Sequence, residues 1–111
     1  MSANSFEINL GGEGEQPGVL NQQTLEVARP TWWSVDGRTF FELVQAGLPF
    51  LLCPNEALAL PDECVDIVYT NSVQVDVATW RGPGVQSSEI RRILKSSGIW
   101  VRDGVLYYTK P

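Results

Sequence analysis

Apolar and polar positions fall into short runs punctuated by glycine, proline and asparagine. Phe6-Glu7-Ile8-Asn9-Leu10 alternates with period two and predicts a strand over residues 6–10. It enters a glycine-rich loop, Gly11-Gly12-Glu13-Gly14-Glu15-Gln16-Pro17-Gly18, and Val19-Leu20-Asn21 predicts a short second strand. Pro30 interrupts any helix in residues 22–35, and Trp32-Trp33 is expected to pack on a sheet or line a cleft. Asp36 is a plausible N-cap for a helix carrying Phe40, Phe41, Leu43 and Val44, which Gly47 and Pro49 end. Phe50-Leu51-Leu52-Cys53 is a continuous apolar run, as a strand covered on both faces requires. After a turn-bearing connection, Val65-Asp66-Ile67-Val68-Tyr69-Thr70 is the strongest strand signal in the chain.

Residues 71–84 read as a polar loop. Ser87 or Ser88 is expected to cap a helix with Ile90, Ile93 and Leu94 on one face and Arg91, Arg92 and Lys95 on the other, ended by Gly98. Asp103-Gly104 sits between Ile99-Trp100-Val101-Arg102 and Val105-Leu106-Tyr107-Tyr108-Thr109, a strong hairpin signal. Tyr107 and Tyr108 should face opposite sides, one to the core and one to solvent. Helices interleaved with apolar strands predict one α/β domain over residues 1–111: a small, Rossmann-like, mainly parallel sheet with a C-terminal antiparallel hairpin at its edge. Residues 6–10 are expected to lie centrally beside residues 65–70.

Composition narrows the chemistry. Of 111 residues, 43% are apolar and 19% charged, enough to bury one core. The net charge of -5 and scattered basic residues argue against an extensive nucleic-acid surface. The polar start and the absence of a long apolar stretch predict a soluble, cytoplasmic chain with no membrane partner. Two cysteines without any histidine do not make a structural zinc site, and two reduced, semi-buried thiols are expected, with one disulfide as the alternative. No metal ligand set is assigned. With no histidine, a Ser-His-Asp or Cys-His hydrolase is excluded within this chain.

The glycine loop after the first strand suggests a nucleotide-type cofactor, because glycines let a ligand approach the backbone. Glu13 and Glu15 would repel a phosphate and suit a cationic or zwitterionic ligand, so S-adenosylmethionine fits better than NAD or ATP. The segment from Ile8 through Gly11-Gly12-Glu13-Gly14 and Pro17-Gly18 to Asn21 resembles the first motif of class I S-adenosylmethionine-dependent methyltransferases. Leu58-Ala59-Leu60-Pro61-Asp62-Glu63-Cys64 with residues 65–71 resembles the segment leading through that family's fourth strand, and residues 88–101 resemble its next helix and fifth strand. The three segments come in the family's order and cover roughly half the chain.

The resemblance implies S-adenosylmethionine as cofactor, with Gly11, Gly12, Gly14, Asn21, Gln22, Leu60 and Thr70 as cofactor-binding residues. It also implies a substrate above Asn71 and Asp76, with Asn71 orienting the nucleophile and Asp76 holding it or accepting a proton. The sequence departs from the family where an acidic residue usually ends the second strand; Asn21, Gln22 and Gln23 stand there instead. A second reading follows from those departures and the short length. The scaffold would then be a non-catalytic or repurposed binding module, with a faint likeness to the toxin-type C-terminal modules of large secreted bacterial proteins. Trp80-Arg81-Gly82-Pro83-Gly84 reads as a recognition loop or as a core plug under Trp80. The sequence names neither the substrate nor the oligomeric state.

Overall fold

The computed structural model of the chain describes residues 5–11, 19–23, 50–79 and 82–111. Their strands are β1 (Glu7–Leu10), β2 (Leu20–Gln23), β3 (Phe50–Leu52), β4 (Val65–Thr70), β5 (Ala78–Thr79), β6 (Gly82–Pro83), β7 (Leu94–Arg102) and β8 (Val105–Thr109), with helix α1 (Ser87–Ile93) between β6 and β7. Six strands form one sheet in the order β3-β2-β1-β4-β7-β8. All neighbours in it are parallel except β7 and β8. The fold is therefore α/β with a mostly parallel, mixed sheet, and β1 lies centrally beside β4 as its pattern predicts. The helix expected from Asp36 and the Trp32-Trp33 pair lie outside the described residues.

The core gathers on one face of the sheet. Ile8 and Leu10 point there with Val65 and Val68, and α1 lays Ile90 and Ile93 across them; each of these is fully buried. Burying one such side chain contributes about 1.5–3 kcal/mol, so this face is a major source of stability among the described residues. The period-two pattern turns Asn9 to the opposite face, where it is buried as well. Cys53 and Cys64 are free thiols, Cys53 buried and Cys64 half-buried. Burial raises the Cys64 pKa.

Three local expectations change. The helix ends at Ile93, not at Gly98, because Leu94 turns extended and starts β7 opposite Val65. The Lys110 Nζ donates to the carbonyls of Arg91 (2.6 Å) and Leu94 (2.7 Å), taking the place of a local helix stop. Gly98 serves instead where β7 crowds itself: a Cβ there would lie 2.8 Å from the Lys95 carbonyl oxygen and 3.2 Å from that of Asp66. The serines do not cap α1 through their side chains. The Ser87 N–H and hydroxyl both donate to Asp76, at 2.9 and 2.5 Å, so the acceptor comes from the loop after β4. That loop also holds the small antiparallel ribbon of β5 and β6.

The hairpin forms at Asp103-Gly104. Both residues have positive φ, 51° and 80°, as a two-residue primed turn demands. A Cβ at Gly104 would meet nothing within 4 Å, so a substitution there costs backbone strain alone. Gly104→Val is expected to lower stability by about 1–2 kcal/mol, read from the denaturant midpoint. An unchanged midpoint would remove the hairpin from the account. Beyond the turn, β8 carries a bulge: Trp100 pairs with Tyr108 and Val101 with Leu106, leaving Tyr107 as the extra residue. Tyr108 packs half-buried against the core, and Tyr107 is exposed yet edges onto the Trp100 ring, 4.7 Å between centroids. Val105, Leu106 and Tyr107 form a run of exposed large apolar side chains on this outer strand. No helix of the described residues is long and apolar enough to cross a membrane.

Candidate functional site

From β1 the chain steps outward to β2 and β3, then returns to the other side of β1 as β4. From β1 the chain therefore continues to one side of the sheet, and from β4 to the other. In open α/β sheets, that divergence opens a crevice.

Amides line this edge. Asn71 Nδ2 donates to Asn9 Oδ1 (3.4 Å), Asn9 Nδ2 to Asn21 Oδ1 (3.1 Å), and Asn21 Nδ2 to the Val19 carbonyl (3.2 Å). The row crosses β4, β1 and β2. Asn9 and Asn21 are almost completely buried, so each must be hydrogen-bonded to be tolerated there. On the other face Gln22 is fully buried, and its Nε2 donates to the Cys53 carbonyl (2.7 Å) and to Asn55 Oδ1 (3.3 Å). Gln22 Oε1 is buried and accepts no hydrogen bond among the described residues. Gly11 turns the chain away from β1 with φ 59°, and its N–H donates to the Gln22 carbonyl at 2.9 Å. Left-handed backbone favours glycine at that position.

The residues expected to form one site thus fall into separate groups. Gly11, Asn21, Gln22 and Asn71 lie along β1, β2 and the end of β4, Asn21 and Asn71 on the face of Asn9 and Gln22 on the other. Thr70 is there too, but its hydroxyl accepts from the buried Trp100 indole (2.9 Å), tying β4 to β7. Leu60 stands apart, on the face that α1 covers, where its carbonyl accepts from Arg92 (2.8 Å). Asp76 is tied to Ser87 rather than to Asn71. The Ser87 bonds, with smaller contributions from Arg91 and Arg102, hold its carboxyl below the ordinary carboxylate range. Gly12, Gly14, Trp80 and Arg81 lie outside the described residues.

Sequence reading passed over Asn9 and Asn55. Asn9 gave a signal: a polar residue on a strand whose neighbours demand burial needs a specific partner. Asn55 gave none, since its links to Gln22 and to the Pro83 carbonyl (3.1 Å) are long-range. No family model, no curated protein and no solved structure matches the chain.

Proposed function

We propose that the chain is a small methyltransferase-like domain of Rossmann type that holds S-adenosylmethionine at the carboxyl ends of β1, β2 and β4. One observation carries this reading. The order β3-β2-β1-β4 reverses at β1, and its reversal point is edged by a left-handed glycine and a row of amides.

The residues present fit the group at its ribose. Gln22 Oε1 is a buried acceptor without a donor among the described residues, and a ribose hydroxyl supplies one. The amide is neutral, so its bond is weaker than the carboxylate's usual in the family. Gly11 supplies the left-handed turn out of β1, with the Val73 side chain 3.3 Å from where its Cβ would stand. When bound, S-adenosylmethionine supplies a methyl carbon activated by its sulfonium. The chain's task is then alignment and exclusion of water, which suits a protein without histidine. Asn71, half-buried at the end of β4, would orient the acceptor of the methyl group. Asp76 would accept a proton on a lone pair that its two bonds from Ser87 leave free, those bonds making it a weaker base.

Calorimetry with S-adenosylmethionine and its demethylated product tests the reading. Binding is expected at about 10 µM to 1 mM, with Gln22→Met weakening it about tenfold through the lost acceptor. Gln22→Met should cost only about 1 kcal/mol of stability. No heat from folded wild-type protein at about 10 mM ligand would sink the cofactor reading and leave the non-catalytic binding module.

A further inference from the structure

A second concavity lies at the carboxyl end of β7, on the face that carries α1. It is a half-open depression of about 430 Å³. Its lining joins three stretches distant in sequence: Asp76 from the loop after β4, Arg91 from α1, and Trp100, Arg102, Tyr107 and Tyr108 from the hairpin. The bulge at Tyr107 brings both tyrosines to this cavity, where a regular strand would have turned one away.

The lining is cationic and aromatic in a chain whose net charge is -5. Among the described residues, neither the Arg91 nor the Arg102 side chain forms a hydrogen bond or an ion pair. The Arg102 guanidinium lies over the Tyr107 ring, 5.1 Å from its centroid, which fixes the plane of its fork. The carboxylate of Asp76 already accepts from the Ser87 N–H and hydroxyl. It offsets one of the two guanidinium charges without neutralising the cavity. One positive charge is left over, and ten guanidinium N–H donors stand against few acceptors. A monoanion matches that balance; a dianion would also meet the repulsion of Asp76.

We propose that this depression binds a small aromatic carboxylate, its carboxylate received by Arg91 and Arg102 and its ring lying against Tyr107 and Tyr108. Guanidinium forks match the planar, two-oxygen geometry of a carboxylate. The aromatic lining supplies the apolar contact that a bare ion would not use. The site does not rest on the cofactor reading, because its test contains no cofactor.

Benzoate is the probe, followed by ligand-detected NMR and calorimetry on the full chain. Folded wild-type protein should bind it. Acetate, which lacks the ring, and benzamide, which lacks the charge, should each bind at least about tenfold more weakly. Phenyl phosphate should bind no tighter than benzoate. Arg91→Gln and Arg102→Gln should each weaken benzoate about tenfold, the loss expected for one charge-assisted hydrogen bond. Lys95→Gln, which removes a cation outside the cavity, should leave it unchanged. Circular dichroism checks that each variant is folded; if Arg102→Gln is not, Arg102→Lys must weaken benzoate while keeping the charge. The proposal is overturned by no benzoate binding at about 10 mM, by equal binding of benzamide, by a tenfold preference for phenyl phosphate, or by affinity that survives both arginine substitutions.

Discussion

Arg92→Ala is expected to lower stability by about 3 kcal/mol, far more than a surface charge usually contributes. The Arg92 side chain is only 31% exposed, and that of Glu89, its main partner, 16%. Nε donates to Glu89 Oε2 (2.8 Å) and Nη2 to Glu89 Oε1 (3.0 Å), a two-pronged contact within one turn of α1. Nη1 reaches the Leu60 carbonyl (2.8 Å) and Nη2 the Leu58 carbonyl (3.0 Å), so one side chain fastens the connection before β4 to the helix. Nη1 also donates to Asp62 (2.8 Å), but Asp62 is 73% exposed and that contact adds little. Alanine would take the Arg92 donor from the Leu60 carbonyl and from Glu89 Oε2, and leave the Leu58 carbonyl only the Leu60 N–H (2.8 Å) and Glu89 Oε1 only the Leu58 N–H (2.8 Å). Lysine should restore less than half the loss, since a point charge cannot reproduce the fork.

Acid provides a check. The Arg92 bond, first among several causes, holds the Glu89 pKa below its ordinary 4.5. A carboxyl lowered by folding contributes stability that is complete above its unfolded value and lost as the pH falls through the folded one. The gap between wild type and Arg92→Ala should therefore be full near neutrality and shrink below about pH 4.5. Chemical unfolding across that range measures it. A gap under about 1 kcal/mol at neutral pH would make the network an ordinary surface ion pair.

Gly84→Ala is the other large effect, again about 3 kcal/mol or more. The added Cβ would stand 2.7 Å from the carbonyl oxygens of both Gln74 and Val77, and backbone cannot swing aside as a side chain does. To admit it, the loop must open. Opening would strain Gly84 N–H to Val77 (2.9 Å), Val85 N–H to Gln74 (2.9 Å) and Asp76 N–H to Val85 (2.8 Å). Asp76 would then shift from Ser87, and α1 would lose the acceptor at its start. Hydrogen exchange should show the Val85 and Ser87 amides losing protection together. Loss at Val85 with Ser87 still protected would show that the loop and the helix start are not coupled. Gly104→Ala, with open space around its Cβ, should cost visibly less.

Local patterns made much of this fold legible. Val65–Thr70 forms as its apolar run predicts, and Asp103-Gly104 turns as its dipeptide demands. The helix end was not legible, because Leu94 suits a helix face and a buried strand equally well, and the cation that caps the last carbonyls, Lys110, arrives from beyond β8. The start of α1 was hidden for the same reason: Ser87 looks like its own cap, but the acceptor is Asp76. Of the expected cofactor residues, Gly11 follows β1 and Asn21 and Gln22 lie on the parallel β2 beside it, Asn21 on the face of Asn9 and Gln22 on the face of Leu10. Leu60 stands apart; as an apolar residue on a connection it carries no signal of which face it will cover. Arg91, Arg102 and Tyr107 come together only through strand order and a bulge, neither of which a linear pattern encodes.

That bulge also bears on how the molecule keeps to itself. An outer strand bearing Val105, Leu106 and Tyr107 in the open is the kind of edge on which sheets of separate molecules fuse and grow into fibrils. At Tyr107 the spacing of the backbone groups changes and the strand twists more sharply. An incoming strand cannot stay in register along the whole edge, so the irregularity guards against runaway stacking where the side chains themselves offer no charge to prevent it.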